Sequence, residues 1–304
     1  EEPMTAQNQI TDADLMRRIL YTSRDVRWHA GIVPVSGTLY TPKGTPPAGG
    51  WPIIAWAHGT LGVADSCAPS WTTHIPRDAT YINQWLKQGF AVVATDYQGL
   101  GGPGPHPYLI WEAEGRSVLD AVRAALHAYP KLLANNLIIT GQSQGSGASL
   151  GASQIAPGYA PELKLRATIA TGVVATFPEG PVSLKEDDER KTPARFDMLR
   201  LLGGSLPDNG PVATSLVTVK GQKLLAMAKT SCVRDMGLFE RSRHLDADTT
   251  FVGGRTQITS VLTSVTDMRQ SRFPAPLFVG TGLADHTLFP RQQYAAVAAL
   301  CAAG

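Results

Sequence analysis

One stretch of the chain has the residue types and spacing of an activated nucleophile. Leu137-Ile138-Ile139-Thr140 runs into Gly141-Gln142-Ser143-Gln144-Gly145, and Ser146-Gly147-Ala148-Ser149-Leu150-Gly151-Ala152 follows at once. An apolar strand, a Gly-x-Ser-x-Gly turn and a helix of small residues make the context that a nucleophile elbow requires. The glycines matter because side chains two positions either side of the serine would collide with neighbouring backbone in so tight a turn. The turn lifts Ser143 Oγ above the sheet edge. It also sets Ser143 at a helix N-terminus, whose unpaired N–H groups and dipole favour developing negative charge. A harmless glycine-rich turn has the same five residues, and it is the strand before and the helix after that separate the two.

A second strand, Ile54-Ala55-Trp56-Ala57, ends in His58-Gly59-Thr60. In an α/β hydrolase the loop after such a strand gives one backbone N–H to the oxyanion hole, and the residue after the nucleophile gives the other. The expected donors are Thr60 and Gln144, with the Thr60 hydroxyl as a further donor. His58, before a glycine at a strand end, reads as structural. A third strand, Leu277-Phe278-Val279-Gly280, runs through Thr281-Gly282-Leu283-Ala284 to Asp285. An acid after a late strand is in the right chain order to accept Nδ1–H of a base, fix its tautomer and stabilise its cation. The expected catalytic residues are therefore Ser143 and Asp285.

The base is the difficulty. Chain order calls for a histidine after the acid, yet only His286 follows, and a residue adjacent to the acid is poorly placed both to be held by it and to reach Ser143. His29, His74, His106, His127 and His244 precede it. His127 falls near a helix end, and His244 is a weak base or metal candidate.

These residues need a scaffold. Apolar runs at 52–57, 90–95 and 137–140 suit strands buried on both faces. Helices are expected at 79–87 and 112–128, the second with Val118, Leu119, Val122, Ala125 and Leu126 on one stripe. Strands follow at 167–174 and 276–280, and a helix at 291–302 closes the series. Alternation of this kind means a mostly parallel central sheet with helices on both faces. Before it, residues 1–24 read as a helical lead-in, with Leu15, Ile19 and Leu20 at helical spacing after the capping candidate Thr11. Residues 26–40 read as a hairpin around Gly31 and Gly37, and 41–50 as a loop. The interval 177–252 breaks the rhythm with a solvated charge run, Lys185-Glu186-Asp187-Asp188-Glu189-Arg190-Lys191, then weakly helical segments with Leu199, Leu201, Leu202, Val212, Leu216 and Val219. It reads as a cap insertion within one domain, 1–304.

Composition excludes several classes. Charged residues are 17% of 304, below the roughly 25% usual for soluble domains, and the hydrophobic set is 43%. That is globular and not disordered. Lys+Arg 27 against Asp+Glu 25 leaves +2, with no basic cluster to mark a nucleic-acid partner. No apolar run is long enough for a transmembrane segment. The three cysteines, Cys67, Cys232 and Cys301, have no metal-like spacing, so no metal or other cofactor is expected, and one disulfide with one cysteine left over suits an exported protein. The opening Glu1-Glu2-Pro3 fits a removed signal peptide, hence a secreted or periplasmic location.

Taken together, the motifs resemble the secretory lipase and esterase family of α/β hydrolases, the group like Candida antarctica lipase A and its actinobacterial relatives. The likeness runs through Ala57-His58-Gly59-Thr60, Cys67-Ala68-Pro69-Ser70, Thr95-Asp96-Tyr97-Gln98-Gly99-Leu100-Gly101, His106-Pro107-Tyr108-Leu109, Ser117-Val118-Leu119-Asp120-Ala121-Val122-Arg123-Ala124, the Ser143 turn, Gly282-Leu283-Ala284-Asp285 and Leu300-Cys301-Ala302-Ala303-Gly304. It implies a secreted carboxylic ester hydrolase acting on a small-molecule or lipid ester, with Ser143 as nucleophile, Asp285 as acid, and Thr60 with Gln144 as oxyanion hole. It also implies a Cys67–Cys232 disulfide and a lid over an acyl pocket. In the family, a segment like the one at Cys301 precedes another strand and the catalytic histidine, so the base is expected beyond Gly304, and with it a partner for Cys301. A peptidase or acyltransferase on the same triad, and an inactive binding module without the histidine, are the alternatives.

Overall fold

A computed structural model describes residues 1–4, 10–26, 31–175, 193–204, 213–269 and 271–304. The apolar runs form the middle of its sheet. Strands β4 (Trp51–Ala57), β5 (Ala91–Thr95) and β6 (Leu133–Gln142) are joined by β7 (Leu165–Thr171) and β8 (Leu277–Gly280) on one side. On the other side lie β1 (Glu2–Pro3), β2 (Ala13–Arg24) and β3 (Ile32–Pro42). The order is β1-β2-β3-β5-β4-β6-β7-β8. Strands β5, β4, β6, β7 and β8 pair in parallel, and β1, β2 and β3 add an antiparallel flank. Every residue of β5 is buried, as a strand covered on both faces must be.

Helix α1 (Pro76–Lys87) leads into β5, α2 (Trp111–Ala128) into β6, and α3 (Gln144–Tyr159) into β7. Their apolar stripes face the sheet from opposite sides. Ile82 and Leu86 of α1 pack with Ile54, Trp56 and Val92, while Val118, Leu119, Val122 and Ala125 of α2 pack with Ile53, Ala55 and Val93. The alternate faces of β4 and β5 thus supply both cores, as the period of two requires.

Two expectations about the start of the chain are corrected. The segment read as a helical lead-in is the twelve-residue strand β2, and the expected 26–40 hairpin instead pairs β2 with β3, from Arg24↔Ile32 to Ala13↔Pro42. Asp25 N–H donates to Gly31 C=O at 2.8 Å across the turn. The period-two signal was present in Ile19, Tyr21 and Ser23, which are buried while Leu20, Thr22 and Arg24 are exposed. Burial of Ile19 and Tyr21 against α2 and β3 outweighs the local helical spacing of Leu15 and Ile19.

Between β7 and β8 the chain forms α4 (Ala194–Gly204), a 3-10 turn (Ala213–Leu216), α5 (Gln222–Ala228), α6 (Val233–Ser242), α7 (Ala247–Thr250) and α8 (Gly254–Thr266). Helix therefore continues past Val252, where the sequence placed the end of the insertion. The expected charge run at 185–191, Phe177 and Val212 lie outside the described residues. These helices share one core, with Met198, Leu201, Leu224, Met236, Phe251 and Leu262 packed together and against Tyr108, Trp111 and Leu150. Helix α9 (Pro290–Ala302) follows β8. Cys67 and Cys232 form a disulfide with Cα atoms 5.5 Å apart, joining the loop after β4 to α6. Closing 165 residues of chain contributes about 5 kcal/mol in the chain-entropy account. Cys301 is free and exposed.

Candidate active site

Register places the candidate residues on one rim. Ala57 lies opposite Thr95 on one side and Gly141 on the other, Gln142 lies opposite Thr171, and Thr171 lies opposite Gly280. The segments carrying His58 to Thr60, Ser143 and Asp285 therefore all leave the carboxyl ends of parallel strands, where open α/β sheets hold their ligands.

Ser143 has φ 57 and ψ −123, a conformation that costs a non-glycine residue of order 1–3 kcal/mol and persists only when its surroundings impose it. Those surroundings are explicit. Ser143 N–H donates to Thr171 C=O at 3.0 Å, and Ser143 C=O accepts from Ser146 N–H at 2.8 Å and Ser146 Oγ at 2.6 Å. A Cβ on Gly141 would lie 1.9 Å from Gly145 O, and one on Gly145 would lie 1.9 Å from Ala57 O. The turn closes only with glycine at both places. Ser143 is half-buried, and its Oγ hydrogen-bonds to no imidazole among the described residues.

The chain from β4 passes directly over this turn. A Cβ on Gly59 would come within 3.0 Å of Gln142 Oε1 and 3.2 Å of Gln142 O. Thr60 Oγ1 is 2.7 Å from Tyr108 Oη, and burial holds the Tyr108 phenol well above its ordinary pKa, hence neutral. Gln144, the first residue of α3, is buried. Its side-chain Nε2 lies 2.9 Å from His106 Nε2 and 2.7 Å from Glu114 Oε1.

Asp285 sits at the other end of the rim, half-buried. Its Oδ1 accepts from Thr287 N–H at 2.8 Å and Leu288 N–H at 2.9 Å. Among the described residues its Oδ2 has one hydrogen-bonding contact, with Gln293 Nε2 at 3.5 Å, and a Cβ on Gly172, one residue past β7, would lie 3.8 Å from it. The carboxylate is thus locked through one oxygen and presents the other toward the rim.

The histidines are distributed as follows. His58 is buried, with Nδ1 2.7 Å from Gly59 O and Nε2 3.4 Å from Asp96 O. His74 is buried on Tyr40 Oη at 2.8 Å, and desolvation lowers its pKa to about 4. His106 is wholly buried and held down to about 3. His127 is exposed in the last turn of α2, and His244 is exposed at φ 52. His286 is exposed beside Asp285, and His29 lies outside the described residues. No group of three or more histidine, cysteine, aspartate or glutamate side chains is arranged to hold a metal among the described residues.

Sequence reasoning singled out neither Glu114 nor Tyr108 as a site residue, and it considered His106 only as a base. Glu114 carried a signal: it lies four residues before Val118, on the apolar stripe of α2, where a lone carboxyl is anomalous.

A parallel-centred sheet with a strained serine at the strand-to-helix turn defines an α/β-hydrolase fold. Among solved structures, the chain is similar to the rice cell wall degrading esterase LipA from Xanthomonas oryzae, at 18% identity and a TM-score of 0.72 over 95% of this chain and 80% of that one. It is likewise similar to Candida antarctica lipase A in its closed state, at 20% identity and a TM-score of 0.71 over 100% of this chain and 73% of that one. The secretory lipase profile matches residues 65–240, and the chain belongs to that family. Curated relatives include Lipase 7 of Candida albicans, 32% identical over 135 residues, which are 41% of this chain and 30% of that protein. Lipase A of Moesziomyces aphidis is 30% identical over 155 residues, 49% of this chain and 31% of that protein. The match spans less than a third of the length of these relatives.

Proposed function

We propose that the chain is a serine-dependent carboxylic ester hydrolase, a secreted or periplasmic lipase or esterase. The observation that carries this is the backbone of Ser143: a strained turn with glycine required at both flanks holds a hydroxyl at the rim of the sheet and at the N-terminus of a sixteen-residue helix. Ser143 Oγ attacks the ester carbonyl and gives its proton to an imidazole. The resulting oxyanion is held by the Gln144 N–H and by the Thr60 N–H or hydroxyl, with Tyr108 fixing the Thr60 side chain. Alcohol departs, and water then releases the acyl group from Ser143. Asp285 orients the imidazole through Oδ2. The helices between β7 and β8 act as a cap whose Leu, Met and Phe side chains border an acyl site, so the substrate is a small-molecule or lipid ester. No helix among the described residues is long and apolar enough to cross a membrane.

Labelling with a fluorophosphonate, together with hydrolysis of p-nitrophenyl esters by the full chain, tests this. Ser143→Ala is expected to abolish labelling and to lower kcat on the order of 10⁵-fold or more. Retention of ester hydrolysis by that variant would overturn the assignment. The absence of an imidazole at Ser143 Oγ among the described residues favours one other reading, a binding module that does no chemistry, for which the unmodified chain would take no label.

A further inference from the structure

Resting on this proposed ester hydrolysis, the structure assigns His106 and Glu114 as positioning residues for the oxyanion-binding N–H of Gln144. Both side chains are fully buried, and neither faces a substrate. What they share is the Gln144 amide, on the residue that follows the nucleophile.

The hydrogen bonds fix the arrangement atom by atom. His106 Nδ1 is 2.9 Å from Gln98 C=O, an obligatory acceptor, so Nδ1 carries the proton. Neutral His106 Nε2 is then an acceptor. The Gln144 group facing it must be the NH₂, which donates one hydrogen to His106 Nε2 and the other to Glu114 Oε1. Glu114 Oε1 also accepts from Leu109 N–H at 2.9 Å, and Leu109 itself has φ 61. A continuous chain thus runs from the 98–109 loop through His106 and Gln144 to the first turns of α2. Ring stacking of His106 on Tyr97, centroids 5.7 Å apart and 15° from parallel, and the Tyr97 Oη bond to His58 C=O at 2.9 Å, carry it on to the loop with Thr60.

Solvation alone gives no reason to bury these groups. Glu114 Oε2 and Gln144 Oε1 have no hydrogen-bond partner among the described residues, a cost that an apolar side chain would avoid. Tying down Gln144 has a specific effect, because a side chain anchored at two points fixes the orientation of its own peptide N–H. An oxyanion donor works through such preorganisation, since its value lies in needing no rearrangement when charge develops.

The test pairs kinetics on a soluble short-chain ester with hydrogen exchange at residues 143–147. Glu114→Ala is expected to lower kcat about tenfold or more, short of the 10²- to 10³-fold lost when a donor is deleted, with KM within about twofold. It should also speed exchange of the Gln144 N–H about tenfold. Glu114→Gln, whose amide oxygen still accepts from Gln144 and Leu109, should restore both. Gln144→Met keeps the backbone donor and cuts the side-chain anchors. It should lower kcat in the same way, and it decides the matter if Glu114→Ala does not fold. Unchanged kcat or unchanged Gln144 exchange in the folded variants overturns the assignment, as does a loss that Glu114→Gln fails to rescue. If the unmodified chain hydrolyses no ester while Gln144 exchange still responds to Glu114, ester hydrolysis falls and the positioning of Gln144 stands.

Discussion

Ser143 and Asp285 leave the same rim of the sheet, yet their surroundings differ in kind. Around Ser143 the constraint is tertiary. Strands β4 and β7, the 58–60 segment and helix α3 converge on it, and a single methyl at Gly145 would meet Ala57 O at 1.9 Å. Around Asp285 the constraint is local. Among the described residues, its carboxylate hydrogen-bonds within residues 285–293. Ser143, the proposed nucleophile, can be strained because packing from several directions holds it, whereas Asp285, proposed only to orient a base, can sit on a short turn.

The contrast can be broken first at the chemistry. If Asp285 orients and stabilises the imidazolium, Asp285→Asn keeps the turn, because the amide oxygen still accepts from Thr287 and Leu288, but it lowers kcat on the order of 10⁴-fold. The fold should be little changed, since the carboxylate's hydrogen bonds among the described residues are local. Steady-state kinetics beside a thermal melt check this: equal losses of activity and Tm would mean that Asp285 is structural.

Packing gives the next largest difference. Gly145→Ala must push apart β4 and the Ser143 turn, at a cost of about 3 kcal/mol or more. Gly282→Ala, where the nearest atom to a new Cβ would be Asp285 Cβ at 3.6 Å, should stay within about 0.5 kcal/mol. Chemical denaturation of the two variants measures the gap directly. Similar values would mean that the two turns are equally packed.

This contrast also explains how much the sequence disclosed. The Ser143 turn was legible because its constraints are written as residue types: glycine where a Cβ would clash, and small or apolar residues where strands and α3 pack. The same holds for β4, β5 and β6, whose continuous apolar runs have few alternatives. The place of Asp285 after a strand was legible from the apolar run before it. What escaped was long-range. Strand β2 showed helical spacing at Leu15 and Ile19, and only pairing with β3 and burial of Tyr21 against α2 settled it as a strand. The bond between Gln144 and Glu114, thirty residues apart in sequence, has no local pattern at all, and only the misplaced charge on the stripe of α2 hinted at it. The helices after β7 left only weak helical patterns in sequence, because their apolar residues pack in one core with Tyr108 and Trp111 rather than on a local partner.

A pH-dependent effect follows from the groups buried beneath the rim. Desolvation lowers His74 from 6.5 to about 4 and His106 from 6.5 to about 3, and it raises Glu114 from 4.5 to about 8. As pH falls below 6.5, the unfolded chain takes up imidazole protons that the folded chain refuses, so stability declines toward about 4 and 3. The Glu114 effect has the opposite direction. Between 4.5 and about 8 the folded chain keeps a proton that the unfolded chain has released, so stability declines as pH rises through that window and levels off above it. Glu114→Gln removes only this second slope. Its Tm should therefore gain on the unmodified protein steadily from pH 5 to pH 8 and hold a constant difference above that, while the two proteins keep the same acid limb. No histidine is altered. Parallel Tm curves across the whole range would show that Glu114 is already ionised in the folded protein, and that the rim beneath Gln144 is wetter and less rigid than the packing around Ser143 implies.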